Sequence, residues 1–216
     1  MLVGDRMTRH PVVCGADMPV DEALNVMRQE KVRRLPVIND DRKLLGIVSE
    51  KDLLYVSPSP ATTLSVFEMN YLLSKINVGR IMTKDVITVR EDTPLEEAAR
   101  VMADNKIGGL PVLRDEQLVG IITETDIFKV FLQLLGARDA GWRVSAKVRD
   151  KKGTLAKLTE IISSKGGDFI TLGTFLQGEG HPESLLVFKV REVEEKDIRE
   201  ALEAIEATDI EITKTT

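Results

Sequence analysis

Val20, Ala23, Leu24 and Met27 recur at i, i+3, i+4 and i+7, which predicts a helix with one buried face. Asp17-Met18-Pro19 precedes it, with the proline suited to a first helical turn. A basic corner, Lys31-Val32-Arg33-Arg34, then leads into Leu35-Pro36-Val37-Ile38, and Leu44-Leu45-Gly46-Ile47-Val48 follows as a second apolar run. Both runs read as short strands, and the proline predicts an edge strand or a bulge. The second run ends at Ser49, a favoured helix N-cap, with Asp52 three residues on.

The whole series then returns. Thr93-Pro94-Leu95-Glu96 predicts a capping box, and Leu95, Ala98, Ala99 and Met102 repeat the buried stripe. Lys106-Ile107-Gly108-Gly109 replaces the basic corner, Leu110-Pro111-Val112-Leu113 follows, and Leu118-Val119-Gly120-Ile121-Ile122 runs into Thr123 and Asp126. Met7-Thr8 matches Met82-Thr83, and Pro36 matches Pro111, each 75 apart (82 − 7; 111 − 36). The offset drops to 74 (123 − 49) where Asn39–Lys43 faces the shorter Arg114–Gln117. An internal duplication this regular decides the architecture of the first half.

Between the copies, Ser57-Pro58-Ser59-Pro60-Ala61-Thr62-Thr63 reads as a stiff connector. Ser65-Val66-Phe67-Glu68 predicts another capping box, opening a helix to about Lys75. Phe67, Tyr71, Leu72 and Ile76 would pack that helix on the duplicated pair or present it to a partner. Gly136-Ala137-Arg138-Asp139-Ala140-Gly141 marks a boundary. Beyond it Val144, Ala146 and Val148 alternate with polar residues as in a half-buried strand. A turn at Asp150–Gly153 leads to a helix with Leu155, Leu158, Ile161 and Ile162 inward, stopped by Lys165-Gly166-Gly167. Strands over 168–176 and 184–190 flank a loop carrying His181; a helix with Ile198, Ala201, Leu202 and Ile205 and a strand with Ile210 and Ile212 close the chain. The order βαββαβ predicts a ferredoxin-like unit, so the fold class is mixed α/β.

Composition narrows the picture. Aromatic residues make up only 4% against 43% hydrophobic, so the cores must be aliphatic. No run approaches the roughly 18 apolar residues of a membrane span, and Met-Leu-Val-Gly-Asp-Arg has no signal-peptide core, so a cytoplasmic protein is expected. Cys14 has no partner for a disulfide, and the two histidines, His10 and His181, form no cluster that predicts a metal site. With 30 basic against 35 acidic residues the net charge of −5 argues against nucleic acid as a direct ligand. No general acid–base pair, P-loop or Gly-x-Ser-x-Gly is present, so no catalytic residue, metal or required cofactor is expected.

The candidate chemistry lies in the repeated Ser49-x-x-Asp52 and Thr123-x-x-Asp126. A hydroxyl and a carboxylate at a helix N-terminus can do no more than satisfy the first turn. They can also meet a ligand, and their recurrence at equivalent positions favours that second role. Gly108-Gly109 permits close approach, by a ligand or by neighbouring backbone.

These landmarks together (Met-Thr, the helix led by Pro19 or Pro94, Leu-Pro-Val, and Gly-Ile-Val/Ile-Ser/Thr-x-x-Asp) resemble a tandem pair of CBS domains, a Bateman module. The resemblance places a first CBS domain at 1–58, a linker with a helix at 59–77 and a second CBS domain at 78–135. Asp150-x-x-Gly153-x-Leu155 resembles the turn of an ACT domain, which would occupy 142–216. The combination looks like the acetoin-utilisation type of CBS–ACT regulatory protein. The resemblance implies a sensor that binds AMP, ADP, ATP or S-adenosylmethionine between the repeats. Asp52 and Asp126 would accept from ribose hydroxyls beside Ser49 and Thr123, and backbone at Arg34–Pro36 and Gly109–Pro111 would face the adenine. Arg33, Arg34 and Lys84 are candidates for phosphate contacts. Met18 in place of Thr93, and two arginines in place of two glycines, imply unequal half-sites. At the ACT domain, Asp150, Gly153, Thr154 and Leu155 would form an amino-acid or other small-molecule site with a neighbouring protomer, in an expected homodimer. The alternatives are a structural adaptor that acts on its partner protein without a ligand, and an enzyme.

Overall fold

The computed structural model describes residues 1–56, 65, 68, 71, 74–176 and 182–216. The connector at 57–63, most of the 65–75 helix with Phe67 and Leu72, and His181 lie outside the described residues. Ser65 and Glu68 do exchange cap hydrogen bonds: Glu68 N–H donates to Ser65 Oγ (3.3 Å), and Ser65 N–H donates to Glu68 Oε2 (2.9 Å). The chain divides into two compact units, 1–127 and 128–216.

In the first unit the strands are β1 (Thr8–Arg9), β2 (Arg34–Ile38), β3 (Leu44–Ser49), β4 (Val89–Arg90), β5 (Gly109–Arg114) and β6 (Gln117–Thr123). The helices are α1 (Val20–Gln29), α2 (Glu50–Tyr55) and α3 (Leu95–Asn105), with α4 (Glu124–Leu134) starting at its end. Val20, Ala23, Leu24 and Met27 are all buried on α1; Leu95, Ala98 and Met102 are buried on α3. Each fully buried aliphatic side chain contributes about 1.5–3 kcal/mol. Cys14 belongs to the first repeat's core, and burial pushes its thiol up to about 11.

One local expectation is corrected, and one is met by its second alternative. Thr93 does not cap α3: the N-cap is Pro94, and the Thr93 hydroxyl accepts instead from the Arg90 amide (3.1 Å). The turn before the helix captures the hydroxyl, a standard competition for threonine. Of the two alternatives for Pro111, an edge strand or a bulge, the structure shows the second: β5 is interior in the sheet order β1-β6-β5-β4, with a bulge-like register shift just after the proline. The proline is tolerated because β4 pairs with β5 only from Val112 onward, with a register shift between Val112 and Leu113. Pro36 sits in a two-stranded β2–β3 hairpin.

The repeats exchange their leading segments. Thr8 and Arg9 pair with Ile121 and Gly120 of the second copy, while Thr83 bridges Ile47 of the first through N–H···O bonds of 2.9 and 3.0 Å. Upstream, Val3 and Gly4 donate to Thr93 and Glu91, and Val78 and Gly79 donate to Met18 and Ala16. The glycines of the two β-runs explain how these segments approach. A Cβ on Gly46 would stand 2.8 Å from Thr83 O and 2.6 Å from Met82 Sδ; one on Gly120 would stand 3.0 Å from Thr8 O and would run into Met7 Sδ. The Met-Thr and glycine landmarks of the sequence are thus two sides of one contact.

The second unit holds β7 (Gly141–Arg149), α5 (Thr154–Ser164), β8 (Asp168–Leu176), β9 (Glu183–Arg191), α6 (Glu195–Ala204) and β10 (Thr208–Thr215). The sheet is antiparallel in the order β10-β7-β9-β8, the ferredoxin-like arrangement. Val144, Ala146, Val148, Leu186, Phe188 and Val190 meet Leu158, Ile162, Ile198 and Leu202 in one core. Leu155, expected inward, is 38% exposed, because it opens the helix ahead of the stripe that Leu158 and Ile162 bury. Gly166 ends α5 at φ +88°, a left-handed position that glycine occupies without a Cβ penalty.

Candidate functional site

Each apolar run delivers its hydroxyl and carboxylate to the start of a helix with the same geometry. At the first junction Ser49 is the N-cap of α2 in extended conformation. Asp52 Oδ2 accepts from Ser49 N–H (2.8 Å) and Ser49 Oγ–H (2.6 Å), and Ser49 Oγ accepts from Asp52 N–H (3.3 Å). At the second, Asp126 Oδ2 accepts from Thr123 N–H (3.0 Å) and Thr123 Oγ1–H (2.7 Å). The full capping box is realised at the first junction, and at the second Asp126 caps the Thr123 amide; all four residues are half-buried. At Asp52 the box does not use up the carboxylate: a carboxylate has about four lone-pair sites, and both bonds fall on Oδ2.

The first junction opens on a cleft of about 500 Å³. Its lining combines Arg33, Arg34, Ser49, Glu50, Lys51 and Asp52 of the first repeat with two segments of the second, Thr83 with Asp85–Ile87, and Lys106–Gly109. The strand exchange makes this possible, since it brings Thr83 against Ile47 at the mouth of the first repeat. Four cations (Arg33, Arg34, Lys51, Lys106) and three carboxylates (Glu50, Asp52, Asp85) line the cleft. Such walls suit a ligand with both hydroxyls and negative charge.

Of the residues singled out from sequence, Ser49, Asp52, Arg33, Arg34, Gly108 and Gly109 come together in this cleft. Pro36 and Pro111 are buried in their strands, opposite Ile47 and Ile121, and are not part of its lining. Lys84 is exposed outside it, between the lining residues Thr83 and Asp85. Thr123 and Asp126 form their own junction. Sequence reasoning missed Lys51, Lys106 and Asp85. Lys106 gave no pattern to follow: it is the left-handed C-cap of α3, at φ +54°. Asp85 enters only through the exchange between repeats.

Gly108 and Gly109 also meet neighbouring protein. A Cβ on Gly109 would lie 3.4 Å from Arg34 Cδ, and one on Gly108 would run into the Arg34 guanidinium, with Glu124 Oε2 at 2.6 Å. The glycines make room for an arginine of the other repeat.

In the second unit, Asp150, Gly153, Thr154 and Leu155 line a cavity of about 250 Å³ together with Thr174 and Ser184. Gly153 has φ +90° and nothing within 4 Å of a would-be Cβ. Its backbone conformation alone accounts for the glycine. Among the described residues no group of three or more His, Cys, Asp or Glu could hold a metal ion, and no helix is long and apolar enough to cross a membrane.

Three solved structures are similar to part of the chain. A Vibrio cholerae protein assigned to acetoin utilization (AcuB) is 33% identical at a TM-score of 0.53, covering 64% of this chain and 96% of its own. CBSX2, crystallised in complex with AMP, is 35% identical at 0.52, covering 61% and 97%. The CBS domain pair of protein MJ0100, in complex with 5′-methylthioadenosine and S-adenosyl-L-methionine, is 28% identical at 0.51, covering 64% and 98%. Curated relatives include the chloroplastic CBS domain-containing proteins CBSX1 and CBSX2 of Arabidopsis thaliana, 38% and 36% identical over 56% and 61% of this chain, and longer enzymes of which the match spans 23–24%. The CBS domain pattern itself matches residues 3–59 and 78–133, more than half of the chain, and the chain belongs to the CBS domain family.

Proposed function

We propose that this protein is a regulatory sensor whose CBS pair, at 1–58 and 78–135 with a linker at 59–77, binds an adenosine-containing ligand: AMP, ADP, ATP or S-adenosylmethionine. The observation that carries the reading is the Ser49–Asp52 pair on the wall of a cleft built by both repeats. Asp52 has acceptor capacity left for vicinal ribose hydroxyls, and Arg33, Arg34, Lys51 and Lys106 favour phosphate. The ligands bound in the CBSX2 and MJ0100 structures, AMP, 5′-methylthioadenosine and S-adenosyl-L-methionine, belong to this class. The ligand acts as a regulator and is not consumed. A ligand held by both repeats biases their relative arrangement by its differential affinity, which is how a sensor of this kind would signal to a partner protein.

The second unit fits an ACT domain over 142–216, supported by its ferredoxin-like sheet order and the Asp150–Leu155 cavity. It would serve small-molecule sensing or assembly of a cytoplasmic homodimer. Titration calorimetry of the full chain with AMP, ATP and S-adenosylmethionine tests the central reading. Binding of one of them that Asp52→Ala weakens supports it; silence toward all three removes it.

A further inference from the structure

Arg34 is rooted at one junction and ends at the other. Its backbone pairs with Ser49 across the β2–β3 hairpin, and it lines the cleft that Ser49 and Asp52 share. Its side chain then passes over Gly109 and ends against Gly108, where Glu124, the first residue of α4, also stands. Gly108 and Gly109 in turn belong to the second junction: Gly109 pairs with Thr123, and Glu124 N–H donates to Gly108 O (3.3 Å). Among the described residues the guanidinium makes no hydrogen bond or ion pair. No equivalent arm returns, because the position matching Arg34 is Gly109 (34 + 75).

We propose that Arg34 is a single phosphate-binding arm shared by two ligand positions, one at each Ser/Thr-x-x-Asp junction, so that filling one weakens the other. The inference rests on the adenosine reading and adds the coupling between its two positions. A guanidinium binds phosphate through a planar fork of parallel N–H bonds, which one arginine can present to one phosphate at a time. A nucleotide at the first junction draws the fork back from Gly108; a nucleotide at the second holds it there. The expected coupling is on the order of 5- to 10-fold in affinity, the lower part of the range for coupled sites.

The test is titration calorimetry of the full chain with AMP. Asp126→Ala leaves the first position to be measured alone, Asp52→Ala leaves the second, and the unaltered chain reports both. With Arg34 present, the product of the two single-position affinities should exceed the product for the unaltered chain by about 5- to 10-fold. In an Arg34→Ala background the gap should close to within about 2-fold, and Arg34→Lys, which keeps the charge without the fork, should leave an intermediate gap. AMP bound at both positions with no gap, or a gap that survives Arg34→Ala, overturns the shared arm and leaves the adenosine reading standing. AMP bound by none of the proteins overturns both.

Discussion

The two junctions of the CBS pair have the same internal geometry and different neighbours. Ser49 with Asp52 and Thr123 with Asp126 share two hydrogen bonds to the carboxylate that agree to within 0.2 Å (2.8 against 3.0; 2.6 against 2.7). Around them the copies diverge where they face one another. Arg33 and Arg34 stand opposite Gly108 and Gly109, Asp85 corresponds to His10, and Glu91 corresponds to Ala16. Local chemistry is held by the helix cap, which each copy needs for itself. The contact between copies is a property of the pair, so there one copy can change if the other compensates. Arginines in both corners would crowd like charges together; glycines in both would leave the gap that Arg34 now fills.

The equivalence of the junctions can be broken most severely through the carboxylates. Asp52→Ala and Asp126→Ala should each weaken adenosine-ligand binding at its own position by about 1.5–3 kcal/mol, the range for hydrogen bonds to a charged group, or roughly 10- to 150-fold. Calorimetry reads this directly, and wild-type titrations in both variants would refute the ribose assignment.

The glycines under the exchanged segments come next. Gly46→Ala and Gly120→Ala should each cost about 1–3 kcal/mol of stability in urea unfolding, as overpacking does. Gly46→Ala should cost more, since its Cβ would stand 2.8 Å from a backbone oxygen against 3.0 Å at Gly120. An indifferent pair of variants would mean that the segments are not in these grooves.

Removing the caps should sharpen the likeness. Ser49→Ala and Thr123→Ala should each lose about 1 kcal/mol, the usual value of an N-cap. Similar losses are expected because both hydroxyls hold their carboxylates (2.6 and 2.7 Å), and a thermal melt of each variant checks them.

The smallest effect separates the copies by pH. The hydrogen bond from Arg114 holds the Glu91 carboxyl below its ordinary value of 4.5, and the charges of Arg114 and Arg9 add to it. A carboxylate whose folded value is depressed contributes stability that is complete above its unfolded value and lost as pH falls through the folded one. Glu91→Gln should therefore lower the melting temperature slightly at pH 7, with a difference that begins to shrink as pH falls below about 4.3 and is lost once the depressed folded value is passed. Ala16, in the same place in the first copy, offers no such dependence. The pair is solvent-exposed, so added salt should shrink the difference further.

The sequence made the elements of both units legible because they rest on local signals. A period of 3.6 set out Val20 to Met27, alternation set out Val144 to Val148, and the 75-residue offset aligned the copies. The cleft was legible only in part. Ser49 and Asp52 declared themselves through spacing, whereas Asp85 and Lys106 arrive from the other repeat through pairings tens of residues long, which no local period records. Thr93 misled for the opposite reason: the Arg90 amide, three residues upstream, offered its hydroxyl a nearer partner than the helix did.

The exchanged leading segments have a consequence for a single copy made alone. One repeat would carry an uncovered glycine trough and, at its other end, a Met-Thr segment cut for somebody else's trough. Two such halves would satisfy each other reciprocally, as in a swapped dimer. The duplicated chain is then a two-fold homodimer made covalent. Fusing the halves freed each to drift independently, and a symmetric pair of pockets could become an unequal one without losing its partner.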